Sequence, residues 1–260
     1  MNSKSTFLAV LALLFVLFAC EETPKEDTST EVATPTITLS KLQGSPAFAD
    51  ASLALLSATP TDTGNYAFEF DVKNYELGAQ TEPKPEVALN NSGMGQHIHF
   101  IVDNSPYEAH YMPNAVGMGE NGRHVVLAFL SRSYHESVKN MGENKSYTLS
   151  QYHVGPGTSE EVDFSAPHMF YSRPKGTYKG ADTEHLLLDF FLVNTTLSPD
   201  GNRVRATING QEFILDEWAP YVIDGLPKGE ATVRLELIDA QGNPVPGPYN
   251  DVTRKVTLEE

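Results

Sequence analysis

Apolar and polar residues alternate along short segments from Ile37 to the end of the chain, and this period of two is typical of β-strands. Clear examples are residues 66–72, 97–102 and 233–238. Glycine, asparagine and proline lie between such segments and favour tight turns. The pattern therefore predicts an all-β protein made of short antiparallel strands that pack as sandwiches.

Three of these segments recur in the second half of the chain, in the same order. Residues 68–74, 97–107 and 122–130 correspond to residues 188–194, 203–213 and 229–237. The repeat predicts two tandem immunoglobulin-like antiparallel β-sandwich domains, at residues 37–154 and 185–260, with a connector at 155–184. One larger sandwich with a shared core is the alternative.

The repeat also predicts which side chains face inward. When the two copies are aligned, three apolar positions coincide. Ile98 matches Val204, Phe100 matches Ala206, and Val102 matches Ile208. His97 and His99 then match Arg203 and Arg205. Because arginine is rarely buried without a partner, we expect His97 and His99 to project from the outer face of their sheet.

An apolar patch is expected on the same outer face. Leu127 and Phe129 match Arg234 and Glu236 in the second copy, so apolar residues replace charged ones there. Such a patch is suited to packing against the partner domain or against another protein.

The N-terminus resembles a bacterial lipoprotein signal peptide. Lys4 precedes an apolar run at 7–19, which is too short for a membrane-spanning helix of about 20 residues. The run ends in Leu-Phe-Ala-Cys, which resembles a lipobox and implies acylation of Cys20, the only cysteine in the chain. A buried apolar helix is the alternative. Residues 1–19 are thus expected to be removed, and residues 20–36 to form a disordered acidic tether.

These features predict a protein of the bacterial cell envelope, held by lipid on the outer membrane, either in the periplasm or at the surface. The chain has 34 acidic and 18 basic residues, a net charge of −16, which argues against nucleic acid as a partner. A single cysteine excludes an intramolecular disulfide and a cysteine-based zinc cluster.

Histidine and methionine are concentrated between residues 94 and 141. This window contains five of the eight histidines and four of the six methionines: His97, His99, His110, His124 and His135, with Met94, Met112, Met118 and Met141. His97 and His99 are two apart on a predicted strand, so both side chains point the same way, about 6.6 Å apart along the chain.

Two adjacent imidazoles predict a site for a transition metal, copper or zinc. The expected ligands are His97 and His99, a third nitrogen from His110 and, with less direct support, His135. Met94 and Met112 are weaker candidates that would favour copper(I). The alternatives are a hydrogen-bonding ligand pocket without metal, or simply two polar residues on a wet face.

The loop after residue 130 is a second candidate site, because loops at the end of a sandwich often carry binding residues. Its candidate contacts are Arg132, Tyr134, His135 and Glu136. Gly122-Arg123 followed by Ser131 and His135 resembles the pattern of forkhead-associated phosphopeptide-binding domains, with a Ser-to-His spacing one residue longer. That resemblance implies phosphopeptide binding through Arg123 or Arg132 and Ser131. A peptide or glycan ligand is therefore an alternative to metal.

Residues 96–111 carry a further resemblance. The run Gln96-His-Ile-His99, then Asp103-Asn104, Pro106-Tyr107 and His110-Tyr111 resembles a Bacteroidota-type lipoprotein family. The resemblance implies an envelope lipoprotein and no particular activity.

Catalysis has little support in the sequence. The nucleophile elbow, the His-Glu-x-x-His helix and the Gly-x-x-x-x-Gly-Lys loop are all missing from the 260 residues. We therefore predict a membrane-anchored, non-enzymatic binding lipoprotein. A metal-dependent hydrolase that uses His97, His99 and Glu108 is a further alternative. A basic, aromatic segment at 170–179 could contact a glycan, or could only neutralise neighbouring carboxylates.

Overall fold

The computed structural model describes residues 36–62, 64–156 and 161–260. The predicted signal peptide, Cys20 and all of the predicted tether except Thr36 lie outside these residues. In the described part, the sixteen strands are, in chain order, β1 (Thr38–Lys41), β2 (Ser52–Pro60), β3 (Tyr66–Lys73), β4 (His97–Val102), β5 (Glu108–His110), β6 (Asn114–Gly117), β7 (Gly122–Ser131), β8 (Tyr147–Val154), β9 (His168–Arg173), β10 (Gly176–Lys179), β11 (His185–Val193), β12 (Arg203–Ile208), β13 (Gln211–Leu215), β14 (Tyr221–Asp224), β15 (Gly229–Ile238) and β16 (Asp251–Glu259). A 3₁₀ turn at Gly180–Thr183 separates β10 from β11.

The first sandwich contains β2 to β8. One sheet has the order β2-β3-β6 and the other β5-β4-β7-β8. Their facing sides enclose an apolar core that includes Phe68, Phe70, Ile98 and Phe100. Ile98 and Phe100 thus face inward, as the alternation of β4 predicts.

The second sandwich repeats this arrangement. Its sheets have the orders β1-β14-β11-β9 and β10-β16-β15-β12-β13, and β12-β15-β16 corresponds to β4-β7-β8. Pairing is antiparallel except between β10 and β16, which run parallel. The core between the sheets includes Val204, Ala206 and Ile208 at the predicted inward positions. The predicted all-β fold with two tandem sandwiches is therefore confirmed.

Two predicted boundaries differ from the observed ones. β1 lies within the range expected for the first domain, yet it pairs with β14 of the second sandwich. The expected connector at 155–184 contains β9 and β10, which also belong to the second sandwich. The sequence of β9 does not alternate because both of its faces are buried. Met169 faces the sandwich core, whereas Phe170 faces the first sandwich.

A separate apolar cluster joins the two sandwiches. Leu127 and Phe129 are fully buried in it together with Phe170 and Phe191. The rings of Phe129 and Phe191 stack with centroids 4.7 Å apart. The apolar patch expected at Leu127 and Phe129 therefore packs against the partner sandwich, and the described residues from 36 to 260 form one compact unit.

Candidate metal centre

Strand β4 brings two imidazoles together on the face that points away from the first core. His97 and His99 alternate with Ile98 and Phe100, so both rings lie on the opposite side of the sheet. The two Nε2 atoms are 3.0 Å apart. The second sandwich covers this face, and both side chains are therefore fully buried. His97 and His99 therefore point away from the first core, as the repeat predicts, but the face on which they lie is not exposed to solvent.

The third imidazole comes from the hairpin that follows β7. Ser131 and Ser137 form the last bridge before a tight turn. In the turn, the His135 N–H donates to the Arg132 carbonyl and the Arg132 N–H to the Glu136 carbonyl. This closure directs His135 back over β4, where its Nδ1 lies 3.2 Å from His97 Nε2.

His135 has a left-handed backbone, with φ of +72°. A side chain in this conformation is strained by roughly 1–2 kcal/mol relative to the usual helical region. The equivalent hairpin of the second sandwich has the same bonding pattern between Asp239 and Asn243, and it has Gly242 at this position. Strain at a non-glycine residue is often associated with function, so the imidazole of His135 is a candidate functional group.

The spacing of the three rings fits the ligand sphere of a metal ion. The ligand atoms of His97, His99 and His135 all lie within 4.8 Å of one another. A tetrahedral ion with metal–nitrogen bonds of 2.0–2.1 Å would hold its ligand nitrogens about 3.3 Å apart. The two shortest separations, 3.0 and 3.2 Å, are already close to that value.

The outer contact of His97 defines which of its two nitrogens carries the proton. His97 Nδ1–H donates to the Gly95 carbonyl at 2.8 Å, which leaves a lone pair on His97 Nε2. His99 Nδ1 lies 3.1 Å from Ser172 Oγ, which can either donate to it or accept from it. Partners of this kind orient metal-binding histidines in many proteins.

Tyr107 completes the wall of the cluster. Its Oη lies within hydrogen-bond distance of His135 Nδ1, at 3.0 Å, and its ring stacks on His99 with centroids 3.4 Å apart. His97 Nε2, which carries a lone pair, lies 3.2 Å from His135 Nδ1.

The cluster is uncharged at neutral pH. Burial, opposed by the hydrogen bond to Gly95, lowers the pKa of His97 to about 4. Burial also holds the pKa values of His99 and His135 well below the usual value, and the charges of Arg173 and Lys175 act in the same direction. Neutral imidazole is the form that binds metal ions, so the cluster is in its ligand form.

His110 is not part of the cluster. It pairs with Ile98 in the ladder between β4 and β5, so it shares the face of Ile98 and not that of His97 and His99. Its ring packs 5.6 Å from the ring of Phe100, and its Nε2 lies 3.7 Å from a Glu108 oxygen. The expectation of His110 as the third ligand is therefore corrected to His135.

Neither predicted methionine lies in the cluster. Met94 is 63% exposed and Met112 is 65% exposed, whereas the three histidines are 7% exposed or less. The thioethers that would have favoured copper(I) point to solvent, so the buried donor set is nitrogen from imidazole.

The predicted ligand loop is buried, which corrects the expectation of an open binding loop. Arg132 forms an ion pair of 3.1 Å with Glu136 and donates to the Pro46 carbonyl at 2.6 Å. Glu136 also accepts from Ser45. Tyr134 packs in an apolar cluster with Leu42 from the chain that follows β1. Of the four loop candidates, His135 is the one that joins the histidine cluster.

The residues that resemble the forkhead-associated pattern also have partners within the fold. Ser131 is fully buried, and its hydroxyl donates to the Arg132 carbonyl. Arg123 lies at the start of β7 and contacts Gln151 on the neighbouring strand. The structure thus separates Arg123 from Arg132 by the length of β7.

The basic, aromatic segment at 170–179 is largely buried as well. Tyr171, Arg173 and Tyr178 have less than a tenth of their surface exposed, while Lys179 is exposed and pairs with Glu259 at 2.7 Å. The tyrosine rings are therefore not available as stacking faces for a glycan. Sequence reasoning missed Ser172 and Tyr107 as partners of the histidines, because Ser172 comes from a strand far along the chain.

No protein-family model matches the sequence, and no curated protein sequence matches it. Solved structures similar in architecture include the fibronectin(III)-like modules of CbhA from Clostridium thermocellum, 11% identical over 80% of this chain and 94% of that chain, with a TM-score of 0.28. The central fibronectin-III array of RIM-binding protein is 12% identical over 83% and 71%, with a TM-score of 0.25.

A third similar structure is SGBP-B of the Bacteroides ovatus mixed-linkage glucan utilization locus, in complex with a mixed-linkage heptasaccharide. It is 12% identical over 79% of this chain and 47% of that chain, with a TM-score of 0.23. Similarity at these levels carries no inference about ligand or activity. In the described ranges, no helix has the length and apolar character needed to cross a bilayer. By its fold, the chain is an all-β protein of two β-sandwiches.

Proposed function

We propose that this protein binds one transition-metal ion through His97, His99 and His135, at the junction of its two sandwiches. The observation that carries the proposal is the convergence of three neutral ring nitrogens within 4.8 Å. The third nitrogen is delivered by a residue with a strained backbone. The contacts of 3.0 and 3.2 Å between these rings also suit hydrogen bonds from one histidine to another, and the metal titration described below separates the two arrangements.

The donor set points to zinc or copper. Imidazole suits both metals, and the exposed positions of Met94 and Met112 remove the main reason to prefer copper(I). When an ion is bound, His99 would carry its proton on Nδ1 and donate it to Ser172 Oγ, which frees Nε2 for the metal.

The proposed role is binding rather than catalysis. His97 and His99 are fully buried and His135 is 7% exposed, which leaves little surface where a substrate could reach an ion. This burial counts against a metal-dependent hydrolase. The buried state of Arg132, Tyr134 and Glu136 likewise gives no support to a peptide or glycan site at that loop.

We further propose that the protein acts as a lipid-anchored component of the bacterial cell envelope, acylated at Cys20. The sequence around Cys20 supports this setting. The test is to express the full chain and Cys20→Ala in a bacterial host that processes lipoproteins. We expect the unaltered chain in the membrane fraction and the variant outside it. Equal membrane recovery of both chains would contradict the anchor.

Metal titration of the full chain tests the binding proposal. After treatment with a chelator, we expect the protein to take up one equivalent of Zn²⁺ or Cu²⁺ in isothermal titration calorimetry. His97→Ala and His99→Ala should each lose this uptake. His153→Ala is the matched control, because His153 is an exposed histidine of β8 in the same sandwich. Uptake that is absent in the unaltered protein, or unchanged in His97→Ala, would refute the proposal.

A further inference from the structure

A cavity of about 430 Å³ lies in the first sandwich, where β5 and β6 are edge strands of the two facing sheets. Both sheets line it, with Glu108 from β5 and Val116 from β6. Its volume is within the range of small-molecule sites in proteins. It is separate from the three-histidine cluster, because it is lined by Phe100, which lies on the opposite face of β4 from His97 and His99.

The side chain of Glu108 lies on the core-facing side of its sheet. Glu108 pairs with Phe100 in the ladder between β4 and β5, and paired residues share a face. In the second sandwich the equivalent pair is Ala206 and Phe213, and Phe213 packs against the apolar core. The first sandwich therefore has a carboxylate where the repeat has an aromatic ring, so the fold itself does not require a charge at this position.

Apolar side chains at the cavity are exposed to solvent. Val116 is 46% exposed and Met118 is 57% exposed, and both line the cavity. Phe100 lines it as well and is 2% exposed. Exposed apolar surface inside a cavity is suited to the aliphatic part of a ligand, because the ligand removes that surface from water.

The charged lining of the cavity is negative. Asp103, Glu108 and Glu120 contribute carboxylates, and the residues that line the cavity include neither lysine nor arginine. Asp103 is already paired, with His124 Nδ1 2.6 Å from its Oδ2. Among the ion pairs of the described residues, Glu120 has none. A positively charged ligand would therefore complement the cavity.

Glu108 is also left without a close cation. His110 Nε2 lies 3.7 Å from a Glu108 oxygen, beyond hydrogen-bond distance, and burial lowers the pKa of His110 despite the charge of Glu108. Lys175 lies within electrostatic range of Glu108 but beyond ion-pair distance, and its Nζ donates to the Tyr107 carbonyl at 2.6 Å.

We infer that this cavity is a second binding site, for a small organic cation that carries an ammonium group on a short aliphatic chain. The ammonium group pairs with Glu108 and Glu120, and the chain covers Val116 and Met118. The net charge of −16 favours the approach of a cation from solution. A bare metal ion fits less well, because the exposed apolar side chains offer it no ligand atoms.

The test uses hexylammonium as the probe, with the full chain, in isothermal titration calorimetry. We expect saturable binding of one equivalent. Two matched probes separate the charge from the chain: 1-hexanol has the chain without the charge, and methylammonium has the charge without the chain. Each should bind at least about tenfold more weakly than hexylammonium.

Variants of the two free carboxylates locate the site. Glu108→Gln and Glu120→Gln each remove one charge with little change in shape, and each should weaken the binding of hexylammonium by about threefold or more. Glu143→Gln is the matched control, because Glu143 is an exposed acidic residue of the same sandwich that does not line the cavity. This variant should bind hexylammonium as the unaltered protein does.

Each outcome decides the proposal. Binding that requires both the charge and the chain, and that falls in Glu108→Gln and Glu120→Gln but not in Glu143→Gln, supports the site. The proposal is overturned by the absence of saturable binding, by equal affinity for hexylammonium and 1-hexanol, or by an equal loss in all three variants. Equal loss would indicate attraction to the acidic chain as a whole.

Discussion

His135 and Gly242 occupy equivalent positions in the hairpins of the two sandwiches, and both have a left-handed backbone, with φ of +72° and +86°. Glycine adopts this conformation freely because it has no Cβ. The first sandwich therefore carries an imidazole at a position where the fold itself favours glycine. Substitutions at the two positions can therefore be compared to measure how much stability a residue with a Cβ loses in this backbone conformation.

The first prediction separates backbone strain at His135 from the role of its ring. His135→Ala and His135→Gly both remove the imidazole, so both should lose metal uptake. Without metal, the glycine variant should be more stable than the alanine variant by about 1 kcal/mol, because only glycine relieves the backbone. Urea unfolding measures the difference.

Gly242→Ala is the control for that prediction. A Cβ at Gly242 would meet only an arginine side-chain atom at 3.7 Å, an ordinary contact, so its effect should come from the backbone alone. We expect a loss of about 1 kcal/mol in the same assay. Equal stability of His135→Ala and His135→Gly would show that the conformation at His135 is not strained.

The second prediction concerns the apolar contact between the sandwiches. Phe191 is fully buried and contacts Phe129, Tyr147 and Trp218. Phe191→Ala should lower the free energy of unfolding by about 3–5 kcal/mol, because it leaves a cavity in addition to the lost burial. Ile214→Ala is the control: Ile214 is 48% exposed, and its loss should change stability by about 0.5 kcal/mol or less. Similar urea midpoints for both variants would mean that the junction contributes little.

The third prediction concerns a buried ion pair near the junction. Lys139 Nζ lies 2.6 Å from Asp189 Oδ1, and the aspartate is fully buried. Lys139→Ala should destabilise the protein by about 3–5 kcal/mol, because it leaves a buried negative charge without its partner.

The control for Lys139 is an exposed pair of similar length. Lys255 and Glu230 are 2.9 Å apart and both are mostly exposed. Lys255→Ala should cost less than about 1 kcal/mol. Chemical denaturation of both variants compares the pairs, and equal losses would contradict the importance of burial.

The fourth prediction concerns pH. Burial lowers the pKa of His124, but hydrogen bonds to the Asp103 carboxylate at 2.6 Å and to the Glu120 carbonyl exceed that effect and raise it overall. A raised pKa in the folded state means that the pair stabilises fully below pH 6.5 and that this contribution is lost as the pH rises through the folded value.

Asp103→Asn tests this dependence. Asparagine tolerates the positive φ of residue 103 and can still accept from the Val125 N–H, as Asp103 Oδ1 does. The loss of stability should therefore be larger at pH 5.5 than at pH 8.5, measured by thermal unfolding. A loss that does not vary with pH would show that His124 carries no extra proton in the folded state.

Much of the fold follows from local sequence pattern. Alternation in β4 correctly predicts that Ile98 and Phe100 face inward and that His97 and His99 face outward. The sequence could not predict that the outer face is covered, because the covering strand β9 lies about seventy residues further along the chain. Both faces of β9 are buried, so its sequence also lacks the alternation of apolar and polar residues that identifies most strands.

The choice between His110 and His135 depended on strand register. A shift of one residue moves a side chain to the other face of a sheet. Neither the register of β5 nor the turn geometry at His135 is determined by the alternation of apolar residues. The turn could have been inferred by matching the hairpin at 131–137 with that at 238–244, because Gly242 marks a left-handed position.

Because of strand β1, the two sandwiches do not correspond to two consecutive parts of the chain. Its four residues complete the sheet edge beside β14, although they precede every strand of the first sandwich. A fragment that ends at residue 156 would contain β1 without the sheet in which it pairs. The fragment that begins after residue 156 would have β14 as an unpaired edge strand, which could pair with a strand of another chain. No single cut between the two sandwiches therefore leaves the second one with all of its strands.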